Sequence, residues 1–355
     1  MASKKTFWIL VSNRWYSAIT AYAIATAKAL QQLNHNCVIT PLWGSPGHKH
    51  AEKAGLSVQA FKSFGLSQAK ACRKAYQDLK PDAIFVFGGP ETTLMFCLPK
   101  SAYVVRFRGQ DKELEKNHRF LSLTHSRVDS VLTPSKTYTT FFKQKYHTPV
   151  HTVPYGLSEK DFYFEDIKKD DRPVILLVGR LDPIKGHREF FEYYKKLMAV
   201  WPRENKKPLL RIVGQKANLA PEDLEQYASN LGLRDGLDYE LVTERVGDLR
   251  AMMNRASVGL ISSLGSEIIC RVGAEFLMCG TPVMVRGVGS LRELLFDGAG
   301  ISYEDEGYER ADICRFIWDA FEEPAAARRQ RQDRARGFFS LDAMGACLMA
   351  ALPRG

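Results

Sequence analysis

Residues Val258–Val285 read VGLISSLGSEIICRVGAEFLMCGTPVMV. Val258–Ser262 has the apolar character of a buried strand, and Val283–Val285 is a second short one. Between them, Ser262, Ser263, Gly265 and Ser266 suit a turn and a helix N-cap. Ile269, Val272, Phe276 and Leu277 then recur at helical spacing, and Gly280 and Pro282 supply the stop. Strand, helix and strand in so short a span predict a parallel α/β sheet. Glu267 stands at the mouth of the expected helix and Glu275 inside it. Eight helical residues rise about 12 Å, so the two carboxylates are too far apart to share one metal or to form an adjacent acid/base pair. They can touch two distant parts of one elongated ligand. The N–H groups of Ile268, Ile269 and Cys270 would lie between them at a positive helix end, a natural anion site. The plain alternative is an ordinary amphipathic helix with two incidental glutamates.

The same alternation extends back to Pro173. Pro173–Gly179, Leu209–Gly214 and Tyr239–Thr243 read as strands, with helices at Gly186–Trp201, Pro221–Leu231 and Asp248–Asn254. The first half repeats the pattern. Thr6–Ser12, Cys37–Leu42, Pro81–Gly88, Ala102–Phe107, Asp129–Pro134 and Val150–Pro154 are expected strands, and helices are expected at Ser17–Leu33, Ser67–Leu79 and Lys136–Tyr146. Gly44–Gly47 and Gly88–Pro90 read as a loop and a turn. The mixture of Phe141, Phe142 and Tyr146 with Lys136, Lys143 and Lys145 fits a core-facing aromatic stripe, with a membrane-surface helix as the alternative. Asp161–Arg172 is a polar linker. Ala325–Arg336 is an arginine-rich helix, and Ser340–Leu352 an apolar one that must dock. At 355 residues two domains are expected: residues 1–155, residues 173–335, and a C-terminal helix at 336–355 packing back near the first. Strand ends from both domains would face a central cleft.

No apolar run approaches the length of a membrane span, and the apolar run Phe7–Val11 is too short for a secretory signal. Seven scattered cysteines without CxxC spacing argue against a disulfide framework or a zinc site. Cytoplasmic residence is expected. The formal charge of +10 is uneven: residues 1–155 hold 21 Lys+Arg against 8 Asp+Glu, the rest 29 against 32. The first half therefore faces something anionic, such as a membrane surface or a charged acceptor, or is basic simply for solubility.

Gly179-Arg180-Leu181-Asp182-Pro183-Ile184-Lys185-Gly186 follows the first strand of the second half. Gly179 lets the backbone turn, Pro183 holds the loop, and Arg180 and Lys185 set two cations at a strand end, suited to a diphosphate leaving group. GxGxxG follows none of the expected strands, which argues against a nicotinamide or flavin enzyme. Aromatic–basic motifs of RNA-binding modules are absent too, so a nucleic-acid partner is not expected. Glu304–Glu306 has the look of an acidic metal triplet but sits in a polar loop.

GRLDPIKG (Gly179–Gly186), SE-x7-E (Glu267 to Glu275), CGTPV and PYGLSEKDF at the linker together resemble the signatures of retaining GT-B glycosyltransferases of glycosyltransferase family 4. The resemblance covers the C-terminal half almost throughout and the N-terminal half mainly in architecture. It implies a GT-B fold of two Rossmann-like domains and a metal-independent transfer from a UDP- or GDP-linked sugar, with no cofactor beyond that substrate. By analogy Arg180 and Lys185 hold the diphosphate, Glu275 reaches the ribose, and Glu267 with Ile268, Ile269 and Cys270 meets the sugar and distal phosphate. Gly179, Gly214, Thr243, Arg245 and Val246 complete the donor site, and Glu267, Arg180 and Lys185 are the catalytic candidates. The acceptor side would draw on Asn13, Arg14, Trp15, Tyr16, Arg108 and Asp111. Two features depart from the pattern: Asn13–Tyr16 replaces a glycine-rich first loop, and RFRGQD (Arg106–Asp111) stands where many relatives place a histidine. The expected acceptor is an envelope glycan, such as a lipopolysaccharide or other glycolipid, reached by peripheral membrane contact. A nucleotide-sugar epimerase or a phosphorylase on the same fold is the competing reading.

Overall fold

A computed structural model describes residues 4–109, 125–265, 267–304 and 308–353. The chain divides into two compact units, Met1–Leu157 with Phe338–Gly355, and Ser158–Gly337.

In the first unit β1 (Thr6–Val11) feeds α1 (Ala18–Gln32), whose N-cap Ser17 accepts from the Thr20 N–H. The chain continues through β2 (Asn36–Pro41), α2 (Pro46–Lys53), β3 (Ser57–Val58), α3 (Ala69–Leu79), β4 (Ala83–Val86), α4 (Gly89–Leu94) and β5 (Val104–Phe107). After residues 110–124, β6 (Ser130–Thr133), α5 (Lys136–Lys143) and β7 (Val150–Thr152) complete the run. The sheet is parallel in the order β3-β2-β1-β4-β5-β6-β7. Strand order reverses between β1 and β4, the point at which open α/β sheets offer a crevice at their carboxyl ends.

The second unit follows the same logic. β8 (Val174–Val178), α6 (His187–Met198), β9 (Leu209–Val213), α7 (Pro221–Asn230), β10 (Tyr239–Val242), α8 (Leu249–Arg255), β11 (Val258–Ile261), α9 (Arg271–Met278), β12 (Val283–Val285), β13 (Gly300–Ser302) and α10 (Arg310–Glu322) build it. The parallel order is β10-β9-β8-β11-β12-β13, with the reversal between β8 and β11. Phe190, Phe191, Tyr194 and Leu197 of α6 recur at helical spacing and are buried against Ile175, Leu177, Leu210 and Ile212. Full burial of each such side chain contributes about 1.5–3 kcal/mol. Gly259 lets α9 lie directly on β11, since a Cβ there would come within 2.4 Å of the Phe276 ring.

The last helices are α11 (Ala325–Phe339) and α12 (Leu341–Ala350). In the first unit α12 packs on α1, with Gly345 against Leu33 and the Ala29 carbonyl. Leu157 N–H donates to Phe339 O, and Leu341 N–H returns the bond to Leu157 O.

The expected architecture of two parallel Rossmann-like sheets is the observed one. Locally, α2 starts inside the expected loop Gly44–Gly47, at Pro46, and α4 begins where Gly88-Gly89-Pro90 reads as a turn. Pro90 lies in the first turn of α4, where its missing N–H costs nothing. Helix α5 turns Tyr138 and Phe142 into the core, as a core-facing stripe requires.

Candidate active site

The reversal between β8 and β11 brings the loop Gly179–Gly186 against the loop Ser262–Cys270. Asp182 shapes the first: its Oδ1 accepts from Ile184 N–H at 3.2 Å and its Oδ2 from Asn218 Nδ2 at 2.8 Å. His187 ties the loop from behind. Burial holds its pKa below the ordinary value, and Nε2 of the neutral ring donates to Arg180 O at 3.1 Å. Ser262 Oγ donates to Lys185 O at 2.7 Å, and Leu264 N–H to Ile184 O at 2.8 Å. Gly186 makes this approach possible, with φ +70° and Ser262 O only 2.1 Å from where a Cβ would stand.

The stitched loops set Lys185 Nζ on Glu267 Oε1 as an ion pair. Ser263 Oγ donates to the same oxygen at 2.6 Å and lies 3.5 Å from Lys185 Nζ. The Glu267 side chain is 9% exposed and that of Lys185 32%, so the cation is the more solvated partner. A cavity of about 340 Å³ opens here, lined by Gly179, Arg180, Lys185, Ser263, Glu267, Ile269, Cys270, Arg271, Val272 and Glu275 among others. Arg180 is exposed on its wall. Burial raises the Glu275 carboxyl above its usual 4.5, and Arg271, whose Nη2 lies 3.4 Å from Glu275 Oε1, partly offsets that. Burial likewise pushes up the Cys270 thiol, and the Glu267 charge adds to it.

Helix α9 begins later than its sequence suggests, and this corrects the expected anion site. Glu267 to Cys270 precede the helix, and the carbonyls of Glu267 and Ile268 are engaged elsewhere. Glu267 O accepts from Ser290 N–H (3.0 Å) and Ser290 Oγ (2.9 Å), and Ile268 O accepts from the same hydroxyl. The N–H groups of Ile268, Ile269 and Cys270 therefore lie before the helix end, not in its first turn. That turn is partly satisfied from within: Arg271 N–H returns to Ile269 O at 2.8 Å, and Gly273 N–H points at the Cys270 sulfur.

Of the expected donor residues, Gly179, Arg180, Lys185, Glu267, Ile269, Cys270 and Glu275 line one cavity. Ile268 is buried beside it. Gly214 does not line it but packs directly behind the lining residue Gly179, since a Cβ there would be 1.9 Å from Gly179 O. Thr243, Arg245 and Val246 occupy the loop between β10 and α8, outside the lining of this cavity. Ser263 and Arg271 line the cavity in addition to the residues expected from sequence. Only the i,i+4 spacing of Arg271 and Glu275 could have signalled the latter.

In the first unit the loop after β1 carries Asn13, whose Nδ2 donates to Ser17 Oγ at 2.7 Å, and the exposed Arg14 and Trp15. Tyr16 stacks on His50 at 3.9 Å between ring centroids. Arg108 is buried, its Nη2 2.5 Å from Tyr146 Oη and its guanidinium over the Phe142 ring. Asp111 and two members of the triplet Glu304–Glu306 lie outside the described residues. A carboxylate not anticipated stands at the strand reversal. Glu91 is fully buried and accepts from both N–H and Oγ of Ser12, fastening the end of β1 to α4. Burial raises its pKa, and the Ser12 bonds and Arg106 pull the other way. Gly88 leaves room for it, as a Cβ there would meet Glu91 Oε2 at 2.5 Å.

Residues 159–335 match the family model of glycosyl transferases group 1. The chain belongs to that family. As a group 1 glycosyltransferase by its second unit, it is 33% identical over 152 residues to the D-inositol 3-phosphate glycosyltransferase of Geodermatophilus obscurus, covering 42% of this chain and 33% of that one. The enzyme of the same name from Thermomonospora curvata is 28% identical over 165 residues, covering 45% and 37%. The matches thus span about a third of the length of these relatives. Among solved structures, Anabaena HepE in complex with UDP superposes with a TM-score of 0.76 at 16% identity, over 98% of this chain and 99% of that one. At that identity the likeness gives this group 1 glycosyltransferase its fold, GT-B.

Proposed function

We propose that this chain transfers a sugar from a nucleotide-sugar to an acceptor hydroxyl with retention of anomeric configuration. The observation that carries the reading is the convergence of Lys185 and Ser263 on one carboxylate oxygen of Glu267, with Arg180 exposed on the wall of the same cavity. Arg180 and Lys185 are the cations for the donor diphosphate, which leaves carrying the bonding pair of the broken anomeric C–O bond. They supply that charge stabilisation without calling on a metal. The acceptor oxygen forms the new bond on the face from which the diphosphate departs, and its proton passes to the departing phosphate oxygen. The protein positions the partners and stabilises charge. Glu267 orients the sugar, and Glu275 at the inner end of the cavity takes the ribose hydroxyls. Ile268, Ile269 and Cys270 shape the space between, and Gly214, Thr243, Arg245 and Val246 serve the base. UDP is the first nucleotide to try, since HepE of the same fold was solved with it; GDP is the second.

The acceptor falls to the basic first unit, with Asn13, Arg14, Trp15, Tyr16 and the region of Arg108 and Asp111 as its candidate contacts. A membrane-borne envelope glycolipid, of the lipopolysaccharide type, fits the excess of 13 positive charges in residues 1–155. A phosphorylated polyol is the second reading, favoured by the names of the curated relatives. In both, the chain works in the cytoplasm.

A thermal-shift panel of nucleotides and nucleotide-sugars is the direct test, because a ligand that binds only the folded state raises its melting temperature. Stabilisation by one nucleotide and its sugar conjugate is expected. Silence across the panel would end the reading. A product of inverted configuration by NMR would end its retaining form, and turnover without any acceptor would favour an epimerase.

A further inference from the structure

The positive charge of the first unit is not spread evenly over its surface. Helix α3 buries only Cys72 and Ala75 and turns Lys70, Arg73 and Lys74 outward. Arg73 Nε donates to Cys97 O at 2.9 Å, which holds α3 against the turn Met95–Cys97. The turn Leu66–Gln68 leads directly into α3 and packs on α4. The two turns bring two apolar side chains to the surface beside the helix: Leu66 is 68% exposed and Phe96 43%. Lys62 and Lys100 are exposed in the same segments. Among the described residues, none of Lys62, Lys70, Lys74 and Lys100 makes a salt bridge.

Unpaired lysines flanking exposed Leu and Phe make a poor surface for a solitary soluble unit and a good one for an anionic bilayer. The ammonium groups meet lipid phosphates while the apolar tips enter the headgroup boundary. Helix α5, the other basic–aromatic element, does not offer this, because Tyr138 and Phe142 are turned into the core.

We propose that the face built from Leu66, Phe96 and the outward lysines of α3 docks on an anionic lipid surface. The proposal rests on the reading of the acceptor as membrane-borne and supplies the surface by which the chain reaches it.

The test is co-sedimentation of the full chain with vesicles of phosphatidylcholine alone, and of phosphatidylcholine with about one third phosphatidylglycerol. Sedimentation with the anionic vesicles only, reversed by salt at about 0.5 M, is expected. Each cation withdrawn from such a surface weakens partitioning roughly fivefold, so Lys70→Glu with Lys74→Glu lowers it by more than about 25-fold. Leu66→Ser with Phe96→Ser also lowers it, although no charge changes. Lys195→Glu with Lys196→Glu, the same charge change on exposed positions of α6, leaves it unaltered. Equal binding to neutral vesicles, no binding to either, or an equal loss from the α6 pair overturns the proposal. The UDP-induced thermal shift of every variant keeps the two readings apart. Vesicle failure with UDP binding intact removes only the docking face, and vesicle binding without any nucleotide response removes only the donor reading.

Discussion

Lys185 and Glu267, 82 residues apart in the chain, share an ion pair whose carboxylate oxygen is also claimed by Ser263. A diphosphate bound as proposed would compete with Glu267 for the same ammonium group. The two partners should therefore respond oppositely to substitution. Lys185→Met weakens UDP binding by at least about tenfold, whereas Glu267→Gln leaves it equal or tighter while transfer falls by about 100-fold or more. Isothermal calorimetry beside a transfer assay reads both. A parallel loss of UDP affinity in the two variants would show that the pair merely holds the loops together.

Glu275 supplies a pH test. Its folded-state pKa is raised above the usual 4.5 by burial. The unfolded chain then releases this proton first as pH rises, so stability falls from the usual carboxylate range up to the raised value. Glu275→Gln removes that slope. The variant should melt higher than the parent near about pH 7.5 and lose its advantage near about pH 4, while binding nucleotide more weakly. Superimposable melting curves at every pH would contradict the burial account.

Gly186→Ala tests the close approach of the two loops. The new methyl would meet Ser262 O at 2.1 Å on a backbone with φ +70°, a combination costing about 2–4 kcal/mol. Gly236→Ala has the same positive φ and open space around it, and should cost only about 1 kcal/mol. Urea unfolding of both separates contact from backbone strain. UDP affinity should drop for Gly186→Ala alone.

The far end of α9 is held by α11. Arg331 makes a two-pronged contact with Glu323 and donates to Gly280 O at 2.7 Å and Gly298 O at 2.6 Å. Lysine reaches one such acceptor set, not all of it. Arg331→Lys should destabilise the protein by about 1–3 kcal/mol in chemical denaturation, with nucleotide affinity of the remaining folded molecules unchanged. Loss of affinity at full folding would mean that the clamp tunes the cavity itself.

How much of this was legible follows from the range of the interactions involved. The β8 and β11 loops could be paired from sequence because glycine, cations and carboxylates sit at strand ends, and strand ends gather ligands. Helix α2 was hidden by its short polar sequence, of which only Gly47 and Ala51 are buried. Helix α4 was hidden because Gly-Gly-Pro suits a turn as well as a helix start. The start of α9 could not be placed because Ser290, over twenty residues downstream, captures the carbonyls of Glu267 and Ile268. Glu91 escaped for the same reason: its partner Ser12 is 79 residues away, and nothing adjacent marks the carboxylate as buried.

The docking of α12 on α1 bears on how the polypeptide matures. Leu157 is bonded on both sides to Phe339 and Leu341, so the first unit is made of two stretches with the whole second unit threaded between them. A ribosome releasing this chain delivers a complete second unit while the first still lacks a helix, and the α1 face that meets Gly345 stays bare until then. Severing the chain near Leu157 and again near Phe338 should leave an N-terminal fragment that aggregates and a central fragment that stays in solution.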